Sequence, residues 1–169
     1  NAIPMLERSV ELYINPNEKC WEERYYKCLF DVEIDDERRK EICVNYLEGL
    51  EWTLKYYTTG CSNWRWSYKY NYPPLLKDLI KYIPAFEVEF VDVLPPDPVS
   101  PLVQLSYVIP RKSLYLVPRK LQELLLSNYS NNYRENYEIE WAFCRYFWEA
   151  HVKFPEINIL ELEELVDSL

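Results

Sequence analysis

Tyr46-Leu-Glu-Gly-Leu-Glu-Trp52-Thr-Leu-Lys-Tyr56-Tyr57-Thr-Thr-Gly60-Cys-Ser-Asn-Trp64-Arg-Trp66-Ser-Tyr68-Lys-Tyr70-Asn-Tyr72-Pro73-Pro74 packs nine aromatic side chains into 29 residues. Its first half has helical spacing. Upstream, Asp35 or Asp36 can cap a helix, and Glu37 suits its first turn. Ile42, Tyr46, Leu47, Leu50, Leu54 and Tyr57 then fall on one helical face. Gly60 stands where a left-handed C-terminal cap belongs. Together these predict a helix over about residues 36–59, with Tyr46, Trp52, Tyr56 and Tyr57 in the core. Beyond Gly60 the pattern changes. Trp64, Trp66, Tyr68, Tyr70 and Tyr72 occupy every second position, so an extended segment puts all five on one side. Two readings follow. The segment buries an aromatic face, or one or two rings, a Trp foremost, stand out and stack on nucleobases.

The rest of the chain reads outward from this run. Asn15-Pro16-Asn17 makes a turn, and Cys20 to Phe30 an amphipathic helix with Trp21, Tyr25, Cys28 and Leu29 on one side. Pro73-Pro74 opens a short helix through Tyr82, which Pro84 ends. Glu87 to Val93 suits a short strand or extended segment, and Pro95 to Pro101 a connector. Ser100-Pro101 caps and starts a helix to Val108, and Pro118 opens another through Leu125. Tyr137 to Trp141 and Tyr146 to Phe154 read as a β-hairpin. Asn158 caps a last helix through Leu165. The fold class is mainly α (α+β), a helical domain with a small β-hairpin near the C-terminus, expected as one domain over residues 1–169.

Composition bounds the function. The chain has 169 residues, 49% hydrophobic and 17% aromatic. No stretch approaches the ~20 apolar residues of a membrane span, and no signal peptide is visible. Two glycines against twelve prolines make proline the punctuation between elements. The net charge of −9 argues against a basic nucleic-acid footprint, so any contact with RNA has to rest on stacking or on a basic surface from elsewhere.

No self-sufficient catalytic constellation is found. The five cysteines form no Cys-x-x-Cys pair and there is one histidine, His151, so a structural zinc site is not expected. The cysteines read as buried reduced thiols of an intracellular protein. The acidic residues cluster as helix starts or solvated faces, including the Glu156 to Asp167 run, and not as a two-metal carboxylate set. There is no Gly-rich phosphate loop and no serine nucleophile elbow. No catalytic residue and no metal ligand is assigned.

The aromatic run closely resembles the second signature region of the Xrn family of 5′→3′ exoribonucleases. That family shows Gly-x-x-Ser-Trp-x-Trp-x-Tyr-x-Tyr-His-Tyr-Ala-Pro after an aromatic helix ending in Tyr-Tyr. Here Trp52, Tyr56, Tyr57, Gly60, Trp64, Trp66, Tyr68, Tyr70, Tyr72 and Pro74 match. Pro101-Leu-Val-Gln104-Leu105, Val108-Ile109-Pro110, Ser113, Leu116-Val117-Pro118, Tyr137-Glu138-Ile139 and Trp148-Glu149-Ala150 are similar to later pieces in the same order. Asn71 replaces the family's His, Pro73 its Ala, Asn63 its usual Ser and Val103 its usual Glu.

The resemblance implies a helical domain that lines the path of single-stranded RNA bearing a 5′-monophosphate and is not catalytic alone. RNA-stacking candidates are Trp64, Trp66, Tyr68, Tyr70, Asn71 and Tyr72. Magnesium is implied for the parent enzyme, held in a first signature region that has no counterpart here. The implied partners are that N-terminal catalytic region and single-stranded RNA, with no membrane, inside the cell. The alternative is a divergent structural or protein-interaction module that has lost nuclease function.

Overall fold

A computed structural model describes residues 8–92 and 97–169. These form two compact units: residues up to Asp97 together with Trp141–Glu149, and Pro98–Glu140 together with Ala150–Leu169. The sequence reading expected one domain over the same span.

The first unit is built on helices. Helix α1 is Ser9–Ile14, α2 is Trp21–Phe30, α3 is Asp36–Thr58 and α4 is Leu76–Leu79, which continues into a 3-10 turn at Ile80–Tyr82. Asp35 caps α3, its carboxylate accepting the Arg38 N–H at 2.8 Å. At 23 residues, α3 is the long element expected from the sequence, ~35 Å end to end. It ends at Gly60, whose φ of 108° lies in the left-handed region and whose N–H donates to the Lys55 carbonyl at 2.9 Å. A Cβ at Gly60 would meet no atom within 4 Å, so the requirement for glycine is conformational and not steric. Gly60→Ala is therefore expected to lower stability by about 1 kcal/mol, read from the urea midpoint at unchanged slope. An unchanged midpoint would show that the helix terminus carries no such strain.

The apolar face of α3 needs correction. Ile42, Cys43 and Leu47 are buried, but Leu50, Leu54 and Tyr57 are 50%, 64% and 81% exposed. Helical periodicity reports a stripe, not what covers it. In this unit the aromatic loop lies against the C-terminal half of α3 along the side bearing Gly49 and Trp52, leaving the Leu50–Leu54–Tyr57 stripe uncovered. Trp21, Tyr25 and Cys28 pack partly buried as expected, yet the fully buried ring of α2 is Tyr26. Its hydroxyl donates to the buried Asp78 carboxylate at 2.9 Å, and this joins α2 to α4.

The described part of the expected strand from Glu87 forms no ladder. The Phe90 N–H donates instead to Glu51 Oε2 on α3 at 2.6 Å. Val93, Pro95 and Pro96 lie outside the described residues.

The second unit holds α5 (Pro101–Val108), a 3-10 segment at Arg111–Leu116, α6 (Arg119–Asn128), α7 (Ile159–Asp167) and the hairpin of β1 (Glu138–Glu140) and β2 (His151–Lys153). The strands pair antiparallel, Ile139 opposite Val152 and Glu140 opposite His151. Ser100 caps α5 and Asn158 caps α7, both through side-chain oxygens accepting backbone N–H groups. The core joins Val103, Leu114, Leu121, Leu125, Leu162 and Val166 around Tyr133. The Tyr133 hydroxyl donates to the Ser106 carbonyl at 2.5 Å, and burial pushes its pKa up to about 12.

The hairpin is shorter than the sequence suggests. Residues 147–149 form a 3-10 turn and not a strand. The Glu149 carboxylate accepts the N–H groups of Tyr146 at 3.0 Å and Arg145 at 2.6 Å, so those amides are unavailable to a ladder. The same two amides hold the Glu149 carboxyl below its usual range. The cysteines also differ from expectation: Cys43 and Cys144 are buried, Cys28 and Cys61 only partly so, and Cys20 is exposed. No helix among the described residues is long and apolar enough to cross a membrane.

Candidate nucleic-acid interface

The loop after Gly60 is tied to α3 at successive points. The Trp52 indole N–H donates to the Asn63 carbonyl at 2.8 Å. Asn63 Oδ1 accepts the Arg65 N–H at 2.8 Å and closes a tight turn at Trp64–Arg65. The Trp66 indole N–H donates to Glu48 Oε2 at 3.2 Å. Its ring stacks on Trp52 at 6.0 Å and 24°, and Trp52 stacks in turn on Tyr56 at 5.3 Å and 14°. The result is a column of three rings along α3.

Gly49 makes room for that column. A Cβ there would stand 2.7 Å from Trp66 Cη2. One sequence signal points to this contact. Gly49 is one of only two glycines and sits mid-helix, where glycine is unfavourable by about 1 kcal/mol against alanine unless something approaches closely.

From Trp66 onward the side chains alternate as an extended segment should. Trp66, Tyr68 and Tyr70 are partly buried, Tyr72 is 6% exposed, and Arg65, Ser67, Lys69 and Asn71 face solvent. Tyr68 and Tyr70 meet edge to face at 5.6 Å, Tyr68 also meets Tyr46, and Tyr70 meets Phe30. The Tyr68 hydroxyl donates to the Tyr72 carbonyl at 2.7 Å, and burial pushes its pKa well above the usual phenol range. Burial, with Glu41 nearby, also raises that of Tyr70. Burial lifts Tyr25, whose hydroxyl donates to the Pro73 carbonyl at 2.8 Å, to about 12. These hydroxyls stay neutral at physiological pH, so the loop adds no phenolate charge to an acidic chain. Tyr72 packs into a cluster with Ile14, Leu29 and Ala142.

Trp64 differs from its neighbours. The turn lifts it out of the alternation, and it is 45% exposed. Among the described residues its indole enters no hydrogen bond and no ring contact. Two further rings, Tyr56 at 44% and Tyr57 at 81% exposure, stand at the solvent side of α3. The sequence reading placed both in the core, and the structure corrects that. Of the residues singled out from sequence, the structure brings Trp66, Tyr68, Tyr70 and Tyr72 into packed contact with the helices. It leaves Trp64 and Asn71 outward.

Among the described residues, no three His, Cys, Asp or Glu side chains converge to hold a metal ion. The helical unit thus carries an exposed indole on a loop stitched to a long aromatic helix.

The chain belongs to the Xrn1 helical domain family, whose model it matches over residues 10–169. It is 33% identical over 156 residues to the 5′-3′ exoribonuclease 2 homolog of Caenorhabditis briggsae, covering 90% of this chain and 16% of that protein. It is 32% identical over 162 residues to 5′-3′ exoribonuclease 2 of Gallus gallus, again over 90% of the chain and 16% of the relative. Against 5′-3′ exoribonuclease 1 of Schizosaccharomyces pombe it is 31% identical over 153 residues, or 88% of the chain and 11% of the relative. The chain thus spans only 11% to 16% of the length of these relatives, as one part of larger proteins.

Proposed function

We propose that this chain is the RNA-path-lining helical domain of a 5′→3′ exoribonuclease that acts on single-stranded RNA with a 5′-monophosphate. In this reading the domain positions RNA and is not catalytic alone. The carboxylates, their magnesium and the 5′-phosphate pocket belong to an N-terminal catalytic region of the same polypeptide, inside the cell. The observation that carries the reading is the Trp64 indole, held outward by a loop fixed on both sides of it. An indole face offers stacking to any base, independent of sequence, as an exoribonuclease that meets every base in turn requires.

The experiment measures affinity for a 5′-monophosphorylated single-stranded RNA, and thermal midpoint, on the complete polypeptide. Base–aromatic stacking is worth about 1–3 kcal/mol, so Trp64→Ala is expected to weaken binding ~5- to 150-fold with little change in midpoint. Trp66→Ala is expected to lower the midpoint, because it empties the place between Gly49 and Trp52. Unchanged affinity for Trp64→Ala in the folded protein would remove the stacking reading.

A second reading has its own support. The net charge of −9 and the uncovered Leu50, Leu54 and Tyr57 stripe suit a protein-interaction module that has lost RNA chemistry. Failure to bind the same RNA even at low ionic strength, where phosphate contacts are strongest, would favour it.

A further inference from the structure

The loop's fixed shape traces to two polar residues of α3 that sequence reading passed over. Asn45 is 5% exposed. Its Oδ1 accepts the Lys69 N–H at 3.0 Å, and its Nδ2 donates to Glu48 Oε2 at 2.7 Å. The same Glu48 oxygen accepts the Trp66 indole N–H at 3.2 Å. One carboxylate oxygen and one amide therefore connect α3 to a side chain and to a backbone N–H three residues apart in the loop. Upstream, the Trp52 indole holds the Asn63 carbonyl at 2.8 Å. Trp64 lies between these two anchorages.

We propose that Asn45 and Glu48 are positioning residues, a polar clamp that sets the loop conformation in which Trp64 is presented to RNA. The clamp acts through Trp66 and Lys69 and touches no base itself. Preorganising an exposed ring matters because a loop free to sample other shapes has to be ordered each time it binds. The hydrophobic column alone does not fix the loop. Stacking of Trp66 on Trp52 tolerates sliding and rotation, whereas a hydrogen bond from the indole N–H sets the ring's azimuth. The step from loop shape to RNA rests on the stacking reading above.

The test uses Glu48→Ala and Glu48→Gln in the complete polypeptide. Gln keeps an acceptor oxygen for both donors, so it is the conservative rescue. Two readouts are taken. One is hydrogen exchange of the Trp66 indole N–H and the Lys69 amide by NMR. The other is affinity for a 5′-monophosphorylated single-stranded RNA. Glu48→Ala is expected to speed both exchange rates by roughly fivefold or more, while the amides of α3 away from residue 48 keep their protection. Affinity falls with it, and the loss does not add to that of Trp64→Ala in the double variant. Glu48→Gln restores both readouts.

Exchange rates unchanged in Glu48→Ala would overturn the clamp. Faster exchange with full RNA affinity, in a protein where Trp64→Ala does weaken binding, would overturn its positioning role. If Trp64→Ala itself leaves affinity intact, the stacking reading fails, and the exchange rates alone uphold or overturn the clamp.

Discussion

Asp78→Ala is expected to lower the unfolding free energy by about 3 kcal/mol. Asp78 is 2% exposed within α4, with partners on α2, on α3 and in the 3-10 turn that follows it. Its Oδ2 accepts the Tyr26 hydroxyl at 2.9 Å from α2, and its Oδ1 accepts Lys81 Nζ at 3.0 Å. Arg39 Nε of α3 lies 3.3 Å from the same Oδ1, an ion pair without hydrogen-bond alignment. Removing the carboxylate leaves the Tyr26 hydroxyl, on a fully buried ring, without its acceptor. It also leaves Arg39 short of a countercharge, though Arg39 keeps the exposed Asp36 at 2.7 Å and Lys81 reaches water. Those escapes hold the expected loss to the lower end for a broken buried pair.

Asp78→Asn retains an acceptor for Tyr26 and is expected to cost about half as much. Urea unfolding at constant slope makes the measurement. Equal midpoints for Asp78→Ala and the parent would mean that α2, α3 and α4 are held by apolar packing alone. The consequence reaches the loop, since the Leu75 N–H donates to the Tyr26 hydroxyl at 3.2 Å and Tyr25 binds the Pro73 carbonyl. The loop's downstream end is thereby fixed on α2.

Leu121→Ala is expected to cost about 3–4 kcal/mol, the larger of the two effects. Leu121 is fully buried on α6 in the core of the second unit, with Leu125 one turn on and Leu162 of α7 in the same cluster. The loss combines the transfer free energy of the deleted methyl groups with the cavity left behind. That cavity is not readily closed. The Tyr133 ring beside it is pinned through its hydroxyl to the Ser106 carbonyl, and α7 is fixed by its Asn158 cap. Leu121→Met, close in volume, is expected to cost under 1.5 kcal/mol. A loss for Leu121→Ala no larger than for Leu121→Met would show that the site collapses freely and the core is loosely packed.

Helix starts and stops were legible in the sequence because their determinants are local. Asp35, Ser100 and Asn158 each cap the helix that follows by a hydrogen bond within three residues. Gly60 ends α3 because its own φ requires it. The two-residue alternation from Trp66 to Tyr72 is likewise a property of extended backbone. The family was legible too, because the order and spacing of the aromatic residues lie in the chain itself. The second strand was overextended because Glu149 takes the Arg145 and Tyr146 amides through a side-chain contact that no periodicity records.

Only the tertiary structure decided which rings are covered. Trp64 and Trp66 are the same residue type two positions apart, yet one is 45% exposed and the other lies against Gly49 and Trp52. The Trp64–Arg65 turn, set by an Asn63 side chain, separates them. Leu54 and Tyr57 carry the same helical signal as Ile42 and Leu47, but the first two are exposed and the latter pair is buried. Burial depends on what lies opposite a residue in space. The sequence by itself determined the helices, their caps and the aromatic loop, whose causes sit within a few residues. Which indole stands free, and which polar pair on α3 holds it there, depend on contacts across 18 to 24 residues of chain and were settled only by the fold.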